Sequence, residues 1–186
     1  SYPEPPASGS YQMPKVTSSG DFFIFYRQGI DDVAFIRSTD DGITWEPAKV
    51  AFAFPDDDEH LGTVYPGGVT LVPGSDGQAD KLLIGFTNSG PGIDYPDGYY
   101  DTYHRDAFVA WFDTESLLFS GYDHTDLGDV ITKTEARAHC RAFDSGPLDA
   151  TMKKAIGYPV DPVPTDEGGL LLAYHYDYGK NRPQRV

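Results

Sequence analysis

The stretch Ser38-Thr39-Asp40-Asp41-Gly42-Ile43-Thr44-Trp45 decides the predicted fold, because it follows one apolar run and precedes another. It has the pattern Ser-x-Asp-x-Gly-x-Thr-Trp, with every defining position filled. In such a turn the carboxylate of Asp40 caps backbone N–H groups, and Gly42 adopts a backbone conformation that other residues avoid. Trp45 is expected to pack between neighbouring sheets. The stretch therefore predicts a hairpin clip between two strands.

Outward from this clip, the chain has the pattern of short strands separated by turns. Apolar and aromatic residues occur in short runs between Gly, Asp, Asn and Pro, and the 20 Gly and 15 Pro leave little room for long helices. Only residues 133–142 look mildly helical. The predicted strand runs are Phe22–Tyr26, Val33–Ile36, Val69–Val72, Leu82–Phe86, Phe108–Phe112 and Leu170–Tyr174.

One order of signals occurs three times along the chain: a Tyr, a Pro, a tight turn with Gly and an acidic residue, and a strand after the turn. The copies begin at Tyr11, Tyr65 and Tyr158. In the first copy two more strands follow, predicted at Val33–Arg37 and Thr44–Val50, with the clip between them. The repeat therefore predicts an all-β fold built from four-stranded antiparallel units.

The clip, and the order of motifs over residues 11–50, resemble the sialidase-like superfamily of β-propellers with Asp-box (BNR) repeats. Asp113-Thr114-Glu115-Ser116 stands where a second Asp box belongs, without its Gly or its Thr-Trp pair. The resemblance implies a propeller of four-stranded blades, and it implies that the Asp box is a folding element and not a catalytic one. Its positions here are Ser38, Asp40, Gly42, Thr44 and Trp45.

The chain is predicted to cover about two and a half blades of such a propeller. Residues 1–10 are an extended lead-in, and residues 11–186 form a partial propeller. Since propellers typically close with about 4–8 blades, we expect the missing blades to come from the rest of the protein or from another chain. The predicted parts are a blade at 11–54, a blade with a long loop at 60–123, a loop at 124–154 and an incomplete blade at 155–186.

Charge and composition exclude several classes of function. With 29 acidic and 14 basic residues the net charge is −15, so nucleic acid is not an expected partner. No apolar run approaches the roughly 18 residues of a membrane span, so no membrane partner is predicted either. Cys140 is the only cysteine, and no zinc spacing is present. No cofactor is predicted; Ca²⁺ at residues 56–60 is the alternative to a solvated acidic turn.

The predicted functional face is the one opposite the Asp box. In a meander the connections alternate between two faces, and this face receives the long loops and all five histidines, including His124. Tyr rings pack on the C–H face of a sugar, and Arg binds an acidic sugar, so a carbohydrate partner is expected. The predicted substrate-binding residues are Arg27, Asp31, Asp32, Tyr99, Tyr100, Tyr103 and Arg141.

The chemistry at this face stays open between two enzyme classes. Sialidases open with Tyr-Arg-Ile-Pro, but Gln12 replaces that Arg here and supplies no fixed positive charge, so classical sialidase activity is disfavoured. A glycoside hydrolase needs a pair of carboxylates, whereas a uronate lyase needs a cation and a His or Tyr that moves protons. The alternative to an extracellular enzyme is a non-catalytic, lectin-like propeller. The catalytic candidates, which suit the lyase better, are His60, Tyr65, His104, Arg105, His139 and His175.

Overall fold

The computed structural model describes residues 9–29, 32–54, 63–89, 104–144, 155–165 and 169–177. Over these residues the protein is all-β, as predicted, and every predicted strand run lies inside an observed strand. A short helix, α1 (Lys133–Glu135), continues into a single π-helical turn, Ala136–Cys140, within the stretch predicted to be mildly helical. The strands are β1 (Ser10–Val16), β2 (Phe22–Gln28), β3 (Asp32–Ser38), β4 (Lys49–Ala53), β5 (Thr63–Val72), β6 (Lys81–Ser89), β7 (His104–Asp113), β8 (Phe119–Gly121), β9 (Asp126–Gly128), β10 (Ile131–Thr132), β11 (Arg141–Phe143), β12 (Ala155–Pro164) and β13 (Leu170–Asp177).

Sheet 1 is an antiparallel meander of β1, β2, β3 and β4 in chain order, with β10 added parallel to β4. Its first four strands have the predicted order. The fourth strand begins at Lys49 and not at Thr44. The reason is that Thr44 donates its backbone N–H to Asp40 and so belongs to the turn, and Pro47 has no N–H for a sheet.

Sheet 2 contains β5 to β9 in chain order, and sheet 3 pairs β12 with β13. The strand β8 pairs with Ala110–Phe112 of β7, and β11 pairs with Ala107 and Phe108 further along the same edge. The stretch 124–154, predicted to be a loop, thus contains β9, β10, α1 and β11. Strands of two or three residues are too short to show the alternation by which a strand is predicted.

The main core lies between sheets 1 and 2 and consists largely of phenylalanine rings. Phe112 of sheet 2 meets three rings of sheet 1 at centroid distances of 5.1–5.6 Å, each of them edge-on. Phe86 stacks between two further rings at 4.6 and 5.1 Å. Such pairs add about 0.5–1.5 kcal/mol each beyond the area that they bury. The three sheet 1 rings around Phe112 are Phe23, Phe25 and Phe35, and the two around Phe86 are Phe52 and Phe108.

Sheet 3 packs on sheet 2 through close backbone contacts and through a small apolar cluster in which the rings of Phe143 and Tyr174 lie 5.2 Å apart. A Cβ at Gly85 would lie 2.2 Å from the carbonyl oxygen of Val160, and one at Gly67 would lie 2.4 Å from the same atom. Thr70 Oγ1 also donates to the carbonyl of Pro162 at 2.7 Å. The two glycines therefore allow β12 to approach sheet 2 closely.

The Ser38–Trp45 clip has the hydrogen bonds expected from its sequence. Asp40 Oδ1 accepts from Ser38 Oγ and from the Thr44 N–H, both at 2.8 Å, and Gly42 has a φ of 77°. The environment of Trp45 differs from the expectation. Among the described residues it packs on Tyr26, Ala34 and their neighbours, on the face of sheet 1 that points away from sheet 2.

The turn between β7 and β8 joins the third and fourth strands of sheet 2, as the Ser38–Trp45 clip does in sheet 1. It is also capped by an aspartate, but it lacks the Asp-box sequence. Asp113 Oδ1 accepts from the N–H groups of Glu115 and Ser116 at 3.1 and 2.9 Å. No glycine is present, and Leu117 takes the left-handed conformation with a φ of 60°. An aspartate that caps the turn is therefore enough to join a third strand to a fourth here.

Asp80 connects the first turns of sheets 1 and 2. Its Oδ2 accepts from the Ser18 N–H at 2.5 Å, and its Oδ1 accepts from the Gly74 N–H at 2.9 Å. These backbone donors lower the pKa of Asp80 below its ordinary value, because they stabilise the ionised carboxylate. The carboxylate thus ties the β1–β2 turn to the β5–β6 turn.

We predict that Asp80→Asn lowers the free energy of unfolding at pH 7 by about 1 kcal/mol, since the amide offers a donor where Ser18 needs an acceptor. Because the pKa of Asp80 is lower in the folded state, the ionised carboxylate stabilises the protein at any pH above its unfolded-state pKa of about 3.9. This stabilisation is lost as the pH falls through the folded-state pKa. The difference between variant and wild type should therefore shrink in urea unfolding below about pH 4. Asp76→Asn, in the same turn and exposed, is the control.

We also predict that Phe112→Ala lowers the free energy of unfolding by about 3–5 kcal/mol, because the cavity removes contacts with both sheets. Urea unfolding of the full-length protein measures this. Ile43→Ala, at a side chain that is 59% exposed, should change the value by less than about 0.5 kcal/mol. A loss below about 1 kcal/mol for Phe112→Ala would contradict the packing described above.

Candidate functional site

The strand registers define two ends of the sheets. Arg27 pairs with Ser10, Asn88 with Val64, and Ser89 with His104, so these positions share the end opposite the Ser38–Trp45 clip. We call this the loop end and the other the turn end. By strand register, Arg27, Tyr65, His104 and Arg105 lie toward this end of their strands. His175, opposite Gly157, occupies the corresponding end of sheet 3.

A cluster of one arginine and two tyrosines lies at the loop end. The guanidinium carbon of Arg27 is 4.5 Å from the ring centroid of Tyr65 and 5.8 Å from that of Tyr11. The two rings meet edge to face at 5.7 Å. Tyr65 is 8% exposed and Tyr11 is 37% exposed. The cation is thus held against one buried ring and one solvent-facing ring by cation–π attraction.

Strand alternation explains where Arg27 lies. Phe25 and Phe23, two and four residues earlier in β2, face the core between sheets 1 and 2, and Val33, directly opposite Arg27, belongs to the same core. Residues two apart in a strand, and residues directly opposite across a pair, share a face. Arg27 therefore continues the phenylalanine row at its loop end, where the apolar core stops.

Among the described residues, two buried polar atoms at the loop end have no hydrogen-bond partner. They are Nε of Arg27 and Oδ1 of Asn88, each on the second-to-last residue of the second strand of its sheet. The third such atom among the described residues, Trp45 Nε1, belongs to the clip. Because buried polar groups are nearly always paired, the Nε of Arg27 is a donor whose hydrogen bonding is incomplete among the described residues.

Other predicted residues lie elsewhere and have partners of their own. His139 Nδ1 is 2.9 Å from Asp123 Oδ2, and Arg141 lies 3.2 Å from Asp144 and 3.7 Å from Asp106. Both follow β10, on the segment that lines the outer edge of sheet 2. The structure does not bring either of them to the Arg27 cluster.

The prediction that all five histidines share the loop face is wrong for His124. Its ring stacks on Trp111 at 5.9 Å, and the pair lines a pocket of about 280 Å³ with Pro73 and Lys81 near the turn end. The reason is that β8 ends at Gly121, opposite Ala110, so the chain turns back before it reaches the loop end.

Several predictions fall outside the described residues. These include the possible Ca²⁺ ligands at 56–60, and within the described residues no group of three or more His, Cys, Asp and Glu side chains could hold a metal ion. Asp32 is half-buried at the start of β3. For His104, Arg105 and His175 the structure gives the position of the backbone only. The predicted site residues outside the described ranges are His60, Asp31, Tyr99, Tyr100 and Tyr103.

Two further points concern reactivity and membranes. Cys140 is buried, and this burial raises the pKa of its thiol to about 12, so the sulfur is not a nucleophile near neutral pH.

No helix in the described part of the chain has both the length and the apolar character needed to cross a bilayer.

Comparison with solved structures finds proteins of similar fold, whereas comparison by sequence finds no family. Two solved structures match 94% of this chain with a TM-score of 0.74 and 17% sequence identity: a PL25 ulvan lyase bound to -[GlcA(1-4)Rha3S]-, and a PL25 ulvan lyase. This chain spans 39% of the length of each. At that identity the likeness shows the fold alone, which is β-propeller-like in these polysaccharide lyases. No family model matches the chain, and no curated protein matches it.

The pair of His139 and Asp123 gives a prediction about charge. The hydrogen bond from His139 lowers the pKa of Asp123 to about 2, because it stabilises the carboxylate. We expect the Asp123 carboxyl to titrate near that value in the wild type by carbon-detected NMR. In His139→Ala its pKa should rise toward the ordinary value of about 3.9. An Asp123 that titrates identically in both proteins would show that the pair does not form in solution.

Proposed function

We propose that the protein is a carbohydrate-active enzyme, and specifically a polysaccharide lyase that cleaves a uronate-containing chain at the loop end. The observation that carries the proposal is the guanidinium of Arg27, held on Tyr65 and Tyr11 at that end. The fold supports it, because a PL25 ulvan lyase of similar fold is bound to -[GlcA(1-4)Rha3S]-, whose GlcA unit is a uronic acid.

Charge makes Arg27 the group to which an acidic sugar would bind. A protein with a net charge of −15 repels a polyanion unless a local cation attracts it. Arg37 and Arg141 are already paired with carboxylates, whereas no ion pair of the described residues includes Arg27. A guanidinium binds a carboxylate through two parallel hydrogen bonds, so Arg27 can fix both the charge and the orientation of a uronate.

Neutralising the carboxylate is the first requirement of β-elimination, since it makes the C5 proton acidic enough to remove. A base then takes this proton, the C5–H electron pair forms the C4–C5 double bond, and the C4–O bond breaks. The leaving oxygen receives a proton from an acid. Tyr65, whose ring contacts Arg27, is the first candidate for proton transfer. His104 is the second candidate, because its pairing with Ser89 supports a position at the same end of the sheet.

The described residues favour a lyase over a glycoside hydrolase. A hydrolase needs two carboxylates about 5–9.5 Å apart across the scissile bond. Asp40, Asp80 and Asp113 are all engaged as caps of turns at the turn end. Among the described residues near the loop end, Asp32 is half-buried and Asp106 lies 3.7 Å from Arg141. Tyr65 beside the Arg27 cation therefore fits the acid–base chemistry of a lyase better than these carboxylates fit the pair that a hydrolase needs.

The second candidate is a non-catalytic glycan-binding protein, and the exposed ring of Tyr11 is the observation that favours it. Either activity would be extracellular, because a polysaccharide is too large to enter the cell. Since the chain spans 39% of each lyase, we propose that further blades, from the rest of the protein or another chain, complete the site.

The test is the ultraviolet absorbance of the unsaturated product, measured on polymers of the GlcA(1-4)Rha3S repeat and on other uronate polymers with the full-length protein. We expect absorbance to rise with the wild type. Tyr65→Phe should lower kcat by about 10²-fold or more, as for loss of a general acid or base. Arg27→Lys, which keeps the charge but loses the planar fork, should lower kcat/KM by at least about tenfold. Tyr122→Phe, at a tyrosine that is 43% exposed, is the matched control.

The other outcomes are distinct. New reducing ends without the chromophore would indicate hydrolysis. Binding of the polymer without any turnover would indicate the glycan-binding alternative. Neither binding nor turnover on any uronate polymer would remove the carbohydrate proposal altogether.

A further inference from the structure

Tyr11 is the solvent-facing member of the Arg27 cluster, and it is not among the site residues predicted from the sequence. Its ring packs edge-on against Tyr65 at 5.7 Å, and its centroid lies 5.8 Å from the Arg27 guanidinium carbon. With 37% of the residue exposed, the ring borders the cation and solvent at once. The Tyr11 ring therefore lies where the part of a ligand next to the group bound by Arg27 would reach toward solvent.

The backbone of Tyr11 is strained. Its φ is 56°, in the left-handed region, which a bulky side chain seldom adopts. The register of β1 on β2 shifts between Ser10 and Met13, so Tyr11 lies within a bulge of a strand. Five other non-glycine residues in the described part of the chain have φ values of 54–66°, and four of them lie in connections between strands. Asp106, in β7, is the other such residue within a strand.

Strain of this kind persists only where the surrounding structure imposes it, and it is concentrated at ligand sites. Bulges likewise redirect a side chain next to active sites. Gly or Asn would fit this position with less strain, as both tolerate the left-handed region. The strained residue is instead a tyrosine whose ring contacts the cluster. The fold thus keeps an aromatic ring beside Arg27 although the local backbone disfavours it.

We infer that Tyr11 forms a sugar-binding subsite, on which the pyranose unit next to the uronate packs its C–H face while Arg27 binds the uronate carboxylate. The inference rests on the proposed function, and it names the chemistry of the neighbouring subsite. An exposed aromatic ring provides a flat apolar surface, and a pyranose offers one apolar face of matching shape. The contribution comes from the ring, so the hydroxyl of Tyr11 is not required.

Three variants of the full-length protein test this: Tyr11→Asn, which suits the strained backbone but has no ring, Tyr11→Phe, which keeps the ring, and the exposed control Tyr122→Asn. We expect Tyr11→Asn to lower kcat/KM on the GlcA(1-4)Rha3S polymer by about tenfold or more, chiefly through KM. Its melting temperature should change by less than about 4 °C, because relief of strain offsets the lost ring contact. Tyr11→Phe and Tyr122→Asn should stay within about threefold of the wild type in kcat/KM.

The remaining outcomes decide against the inference. It is overturned if Tyr11→Asn keeps kcat/KM within twofold, if Tyr11→Phe loses as much as Tyr11→Asn, or if Tyr11→Asn lowers the melting temperature by more than about 8 °C, as a structural residue would. If the wild type binds the GlcA(1-4)Rha3S oligosaccharide without cleaving it, the lyase proposal fails, and Kd replaces kcat/KM as the measure for Tyr11. If the wild type binds none of the uronate polymers, both fail.

Discussion

The interlocking of phenylalanine rings between sheets 1 and 2 is the contact on which the rest of the structure depends. Phe112 lies against three rings of sheet 1, which fixes how the two sheets face each other. Because strand residues alternate between faces, the row of Phe23 and Phe25 continues directly to Arg27. The core that holds the sheets together therefore also determines where the cation lies. A change of one residue in this register would turn Arg27 away from the inter-sheet face.

The two ends of the sheets differ in how their charges are used. At the turn end Asp40, Asp80 and Asp113 accept backbone hydrogen bonds and serve the fold. At the loop end Arg27 rests on aromatic rings and takes part in no ion pair of the described residues. A net charge of −15 is therefore compatible with an anionic ligand, since these three carboxylates stabilise turns at the end opposite the cation.

How much the sequence could predict depended on the length of each signal. The long strands and the Ser38–Trp45 turn were predictable, because alternation and turn chemistry act over neighbouring residues. The strands from β9 to β11 were not, since two or three residues carry no period. The position of His124 depended on where β8 ends, which tertiary pairing decides. The sequence marked Tyr11 only as the start of a repeat copy, because its place in the cluster comes from a bulge and from a contact with Tyr65, 54 positions along the chain.

Gln12 and Arg27 bear on the expectation that the resemblance to sialidases does not carry their chemistry. Gln12, at the position that bears an arginine in the sialidase motif, is exposed and donates to the carbonyl of Gly9. The cation at this end comes instead from the neighbouring strand, β2, where two rings hold it in place. The proposed carboxylate site therefore depends on a different residue from the one in the sialidase motif. Since function resides in the site and not in the fold, the aromatic support of Arg27 is a stronger guide to the chemistry of this protein than the Asp-box turn at the opposite end.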